Sequence, residues 1–302
     1  MPNTAPQRAK YAPVTSKEDD ILRAVQRYHF LTVVQTTRLL FSRGSLRHVQ
    51  RYLSGLAATG FLLQKRIPTD RNGKPPSVYT LARKGRQYLA AQDLESSERF
   101  RPSEARDVGL LFLKHTLSTN AVLITAERLC AFHPTLDLAE MRHERDLKRQ
   151  PALVPLSTGE QVKVVPDGWL DFQRHRVDGP TDRWCVALEL DRGSEAVTRW
   201  RQKVQALLAW AKGPYPKLFG TTILTIAVIV AMEQQSERRL LALLRWTEAE
   251  LRDSGQEREA DLFRFTAQDF DDLTVSPEQL FLADTWYRPF DSHALPLLAG
   301  VT

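Results

Sequence analysis

A chain of 302 residues, 42% hydrophobic and 26% charged, is long enough for two domains and too rich in apolar residues for a disordered tail. Its 42 Lys+Arg against 36 Asp+Glu leave a formal charge of +6, which fits an acidic partner and equally a plain solubility surplus. Two cysteines, Cys130 and Cys185, and seven histidines without HExxH spacing set aside a disulfide scaffold, a zinc finger and a zinc hydrolase. Residues 1–12 carry no apolar stretch, so no signal peptide is expected, and a cytoplasmic, reducing setting follows. The longest apolar run, 221–232, falls short of the roughly 20 residues of a spanning helix. It reads as a buried central strand, and no membrane partner is expected.

The distribution of charge says more than its total. Residues 1–102 hold 18 Lys+Arg against 7 Asp+Glu, net +11, so the remainder is net −5. A basic N-terminal third therefore joins a mildly acidic remainder. The polar stretch 93–104, which contains Pro102, reads as the linker, and residues 1–14 as a disordered start.

Ser16 followed by Asp19 has the form of a capping box and opens a helix over 17–28, with Ile21, Leu22, Val25 and Tyr28 on its inner face. Thr32 with Gln35 repeats that signature for a short helix through Val33, Thr37 and Leu40. A third helix from Ser45 buries Leu46, Val49, Leu53 and Leu56 and turns Arg47, His48, Gln50, Arg51 and Ser54 outward, ending at Gly60. Residues 61–67 and 77–81 read as strands around a basic loop with an Asn72-Gly73 turn, and 82–91 as a closing helix.

That order, three helices then strand, basic loop and strand, resembles a winged helix-turn-helix domain, here residues 15–92. The resemblance implies DNA as partner. Arg47, His48 and Arg51 would face the major groove, Arg43 stands at the turn before them, and Lys65, Arg66, Arg71 and Lys74 on the wing would reach flanking phosphates. The bland reading of Arg47 and Arg51 is a solvated helix face, and a winged helix also serves as a protein-protein module.

Residues 105–302 read as an α/β domain with a central mixed sheet. A long apolar helix is expected over 104–130, and 141–150 is charged and ambiguous between helix and edge strand. Strands follow at 161–172, 183–191 and 221–232, with helices at 194–212 and 236–253 and an edge strand near 262–265. Asp167 sits at a strand bend after Pro166. Glu189 and Asp191, two apart, share one face of their strand with Cys185 and Ala187, opposite Leu188 and Leu190. Carboxylates among Val, Ala and Leu need a partner or a cation.

The string Pro166-Asp167, then Glu189-Leu190-Asp191, in this order of elements resembles the PD-(D/E)xK nuclease superfamily. More narrowly, a winged helix followed by VVPDGWLDF, LELDRGSE and a lysine-bearing helix resembles the replication-relaxation family of bacterial plasmid and mobile-element proteins. This resemblance implies Mg²⁺ or Mn²⁺ held by Asp167 and Glu189, with Asp191 as a third ligand or beside them, and Lys203 at the water or phosphate. Lysine is missing at position 191, so Lys203 must return from the following helix. His115 and Asn120 also resemble a family feature, with no physical role in view beyond helix packing. The implied function is DNA binding in plasmid or mobile-element replication, mobilisation or transposition, with metal-dependent cleavage or nicking, alongside other proteins of those processes. The alternative is a non-enzymatic regulator or accessory subunit whose degenerate nuclease fold binds DNA, recruits protein or makes a homodimer.

Each site residue also has a plain reading. Asp167 before Gly168 has the form of a turn. Glu189 and Asp191 fit salt bridges with Arg192, Arg199 or Lys203. The six tryptophans at 169, 184, 200, 210, 246 and 286 fit core packing better than base stacking. No phosphate-binding glycine loop and no serine or cysteine nucleophile setting is present.

Overall fold

The computed structural model describes residues 14–68, 76–92, 108–156, 158–176, 179–193, 195–232, 234–268 and 276–301. The chain divides into two units, residues 1–110 and 111–302. The expected linker 93–104 and the wing residues Arg71 and Lys74 lie outside the described residues, as does the side chain of Arg43.

The N-terminal unit runs α1 (Ser16–Tyr28), β1 (Leu31–Thr32), α2 (Val33–Leu40), a 3-10 turn (Arg43–Ser45), α3 (Leu46–Ala58), β2 (Leu62–Arg66), β3 (Ser77–Leu81) and α4 (Arg83–Gln92). Its antiparallel sheet has the order β1-β3-β2. The first capping box lies one residue earlier than its sequence form suggests. Thr15 caps α1, and Glu18 returns a bond to the Thr15 backbone at 2.9 Å, while Asp19 takes Arg23 Nε at 2.7 Å. The Thr32–Gln35 box forms as expected. α3 buries Val49, Leu53 and Leu56, but Leu46, the first residue after the 3-10 turn, stays 45% exposed. In α2, Gln35, Thr36 and Thr37 are buried, and both threonine hydroxyls are satisfied there by turning back onto the carbonyls of Thr32 and Val33 at 2.8 Å.

The C-terminal unit continues with α5 (Leu110–Phe132), β4 (Leu136–His143), α6 (Glu144–Leu147), β5 (Ala152–Pro155), β6 (Gln161–Val164), β7 (Gly168–Arg174), β8 (Asp182–Asp191), α7 (Val197–Lys212), α8 (Tyr215–Phe219), β9 (Thr225–Val230), α9 (Ser236–Asp253), β10 (Phe263–Ala267) and α10 (Pro277–Phe281). A mixed sheet of order β10-β9-β8-β7-β4 forms its centre. β4, β7 and β8 make an antiparallel meander, and β9 and β10 then add in parallel.

The ambiguous stretch 141–150 splits between the end of β4 and α6. β4 is invisible in the pattern because it is an edge strand with a register shift between Leu138 and Glu140, and only its terminal residues Leu136 and His143 are buried. The expected strand over 161–172 is two strands. β6 pairs with β5 in a separate hairpin, and β7 enters the main sheet.

One face of the sheet, with Trp169, Cys185, Ala187, Ile226, Val228 and Val230, packs against α7 and α9 through Trp200, Val204, Leu207, Leu243 and Leu251. α5 approaches the opposite face, where Leu123 nears Gly168 and Leu188. Its middle is buried all round, so its hydroxyls bond back to the helix: Thr116 to Phe112, Thr119 to His115 and Thr125 to Ala121 carbonyls. Trp169, Trp200, Trp210 and Trp286 are all fully buried, as core packing requires. Among the described residues no helix is long and apolar enough to cross a membrane.

Candidate carboxylate–lysine–histidine site

Asp167 immediately precedes β7 and is tied from both sides. Its N–H donates to the Leu188 carbonyl at 2.9 Å, and its own carbonyl accepts from Glu144 N at 3.1 Å. Its carboxylate Oδ2 accepts from the Leu190 backbone N–H at 2.7 Å, while Oδ1 lies 2.9 Å from His115 Nε2 on α5. Gly168 is no turn glycine here. It opens β7 opposite Leu188, and a Cβ on it would sit 3.2 Å from Leu188 Cδ1 and 3.3 Å from Leu123 Cδ2. The Pro-Asp-Gly string thus lets a helix lie close to the sheet and leaves Asp167 at the strand end.

Glu189 is buried on β8, and its face of the strand turns toward α7. Lys203 on α7 reaches it, with Nζ 2.6 Å from Glu189 Oε2 and 3.7 Å from Glu195 Oε1. Asp167, Glu189 and Lys203 therefore interact at one end of the sheet. Asp191 is drawn away from them. Arg239 of α9 grips it with two bonds, Nε to Oδ2 at 2.7 Å and Nη2 to Oδ1 at 2.8 Å, and Gly193 N–H adds a third at 3.0 Å. Arg192 meets Ser118 Oγ at 2.9 Å, not either acid. Asp171, in the same nonapeptide as Asp167, forms a two-pronged pair with Arg183.

The electrostatics follow from burying unequal charges together. Burial opposes ionisation of Asp167, but the His115 bond, the charges of His115 and Lys203 and the Leu190 N–H hold its carboxyl below the ordinary value. Burial pushes Glu189 up, Lys203 pulls it back, and the Asp167 charge pushes it up again, leaving it above the usual carboxylate range. For Lys203, burial is outweighed by Glu189, Asp167 and Glu195, which raise its pKa. For His115, burial is outweighed by the bond to Asp167 and the charges of Asp167 and Glu144, and its pKa also rises.

The two residues for which the sequence offers no chemical part, His115 and Asn120, both act here. Asn120 Oδ1 lies 3.0 Å from His143 Nε2, and His143 Nδ1 accepts from Arg145 N at 3.2 Å, capping α6. Burial pushes His143 down to about 4, so the ring is neutral, with the proton on Nε2 facing Asn120. Glu144 follows directly, carries an ion pair from Lys148, and is hidden in the charged stretch. Ligand atoms of His115, Glu144 and Asp167 all lie within 4.8 Å of one another. The charge density of 141–150 is the only signal in the sequence, and it names no partner.

On α3, Arg47, His48 and Arg51 are exposed, with Arg51 Nη2 2.9 Å from His48 Nδ1. Gln50 donates instead to Tyr79 Oη and Ser54 Oγ, each at 3.0 Å. Lys65 is half-buried and donates to the Val108 carbonyl at 2.6 Å, and Arg66 is exposed.

Fold and site together define a two-unit α/β protein with a buried cluster of acids, lysine and histidine at one end of its larger sheet. The chain belongs to the replication-relaxation family, whose model matches residues 22–215, and membership points to replication or mobilisation as its setting. No curated protein and no solved structure matches the chain significantly.

Proposed function

We propose that the protein binds DNA through its N-terminal unit, acting as a winged helix-turn-helix, and cleaves or nicks it at the Asp167–Glu189–Lys203 site in a metal-dependent way. The observation that carries the reading is Lys203 Nζ at 2.6 Å from Glu189, with Asp167 beside them, in the order helix, three antiparallel strands, helix, parallel strand. Supplying the lysine from α7 compensates for aspartate at position 191. For the N-terminal unit, support comes from the three helices and small antiparallel sheet, and from the exposed Arg47, His48 and Arg51.

The residues fit a divalent cation. Both carboxylates are buried, burial and then the Asp167 charge raise Glu189, and oxygen donors suit Mg²⁺ or Mn²⁺. Asp167 and Glu189 would hold the ion, which when bound neutralises phosphate charge and makes water a better nucleophile. Lys203, steadied by Glu189 and Glu195, presents its ammonium to the phosphate or the attacking water. Arg66 would contact flanking phosphates.

Incubation of the full chain with supercoiled plasmid and Mg²⁺ or Mn²⁺ tests this. Nicking is expected, and is lost in Asp167→Asn and in Glu189→Gln. Full nicking by both variants overturns the reading. One observation favours a second reading: Asp191 is committed to Arg239, as in a degenerate site kept for DNA or protein binding. A non-enzymatic regulator or accessory subunit predicts DNA binding that is indifferent to EDTA and to both substitutions.

A further inference from the structure

We propose that His115, Glu144 and Asp167 form a mixed nitrogen–oxygen position for a first-row transition-metal dication, on the α5 side of Asp167 and apart from the oxygen-only pair Asp167–Glu189. Among the described residues no other group of three such ligands gathers as closely: the donor atoms all lie within 4.8 Å of one another. The separation of His115 Nε2 and Asp167 Oδ1, 2.9 Å, is that of a hydrogen bond and also that of neighbouring donors on one ion. Bonds of about 2.0–2.2 Å at right angles place two ligand atoms about 3 Å apart. An ion can thus take the place of the bridging proton without shifting α5 against the sheet.

Two of the three ligands, Asp167 and Glu144, are held from behind. The Leu190 N–H fixes Asp167 Oδ2, which leaves Oδ1 turned toward the histidine. Glu144 is anchored by its own N–H on the Asp167 carbonyl, and the preceding His143 by Asn120. Such outer hydrogen bonds orient metal ligands and keep their position fixed. The imidazole nitrogen sets the class of ion, because nitrogen donors favour first-row transition metals over Mg²⁺. The position shares Asp167 with the site proposed above but does not need cleavage: a chain that cuts nothing would still take up the ion.

The test uses the full chain, stripped with EDTA and titrated with Mn²⁺ in a large excess of Mg²⁺, read by electron paramagnetic resonance. One Mn²⁺ is expected to bind and to carry a nitrogen hyperfine coupling. His115→Gln removes the coupling and weakens binding by about tenfold or more, and Glu144→Gln weakens it comparably. Glu189→Gln leaves the nitrogen-coupled ion in place, whatever it does to nicking. Mn²⁺ that shows no nitrogen coupling and is lost in Glu189→Gln overturns the proposal, since the ion then sits on the oxygen pair alone. Failure of Mn²⁺ to compete with Mg²⁺ also overturns it and leaves His115–Asp167 as a structural bond. If His115→Gln does not fold, the wild-type coupling and Glu144→Gln decide.

Discussion

Arg239→Leu removes both bonds that the guanidinium makes to Asp191, at 2.7 and 2.8 Å, and its bond to the Glu195 carbonyl at 2.8 Å. Asp191 is 4% exposed, so its charge stays buried with only the Gly193 N–H as a remaining described partner. Deleting one member of a buried pair costs about 3–5 kcal/mol, mostly because the survivor is left desolvated. In a unit of this size each kcal/mol moves Tm by about 2–4 °C, so a fall of roughly 10 °C is expected. Thermal unfolding of the full chain, followed by circular dichroism, reads it. Combining Arg239→Leu with Asp191→Leu takes away both charges and should recover more than half of the loss. A single variant that melts with the wild type, or a double variant no better than the single, refutes the account of Asp191 as half of a structural ion pair.

Thr15→Ala should destabilise the N-terminal unit by about 1 kcal/mol, and Ser16→Ala by a few tenths, because Thr15 is the residue that caps α1. Chemical denaturation distinguishes the two, and a larger effect at Ser16 contradicts the observed cap. Arg47→Ala with Arg51→Ala should weaken DNA binding and flatten its salt dependence by about 0.9 log units for each phosphate no longer neutralised, measured by fluorescence anisotropy across a salt series. An unchanged slope would remove these arginines from the proposed DNA-binding surface. Burial pushes the Cys185 thiol up to about 11 and Cys130 to about 12. Near pH 8 a disulfide reagent should therefore titrate neither in the folded chain and both in denaturant, since the thiolate is the reactive form. A fast native phase contradicts this.

What can be read in advance divides along a physical line. Periodicity sees which face of an element is apolar, and so it delivers α9 over Ser236–Asp253 and the strand at Ser77–Leu81, while the apolar run 221–232 delivers β9 as a buried inner strand, shortened to Thr225–Val230 beside the central β8. It does not see partners. Asp191 and Arg239 lie 48 positions apart, and nothing in either neighbourhood announces the pair. β4 carries no alternation to detect, because its exposed edge and its register shift both erase the pattern. Leu46 continues the apolar spacing of α3 and yet lies exposed at the helix start, where spacing no longer predicts burial. For the site, the acid pair and the lysine stand out because a motif orders them along the chain. Glu144 lies unmarked in a decapeptide full of charge. Only the fold, by bonding its backbone to the Asp167 carbonyl, brings it to the same strand end.

The delivery of Lys203 by α7 gives the site two independent mechanical inputs. The pleat of β8 fixes where Glu189 points, whereas the roll of a helix fixes where the ammonium goes. One residue added inside α7 between Lys203 and Val204 would turn Lys203 by about 100° relative to the buried Val204 and Leu207 and carry it off the acid without disturbing the strand. The turn at Gly193 is also constrained. Its φ of +79° suits glycine, and a Cβ there would meet Met232 Sδ at 2.8 Å. The packing of Trp200, Val204 and Leu207 thus sets the phase between the anions and the cation, and these apolar residues are as much a part of the site as the charged side chains.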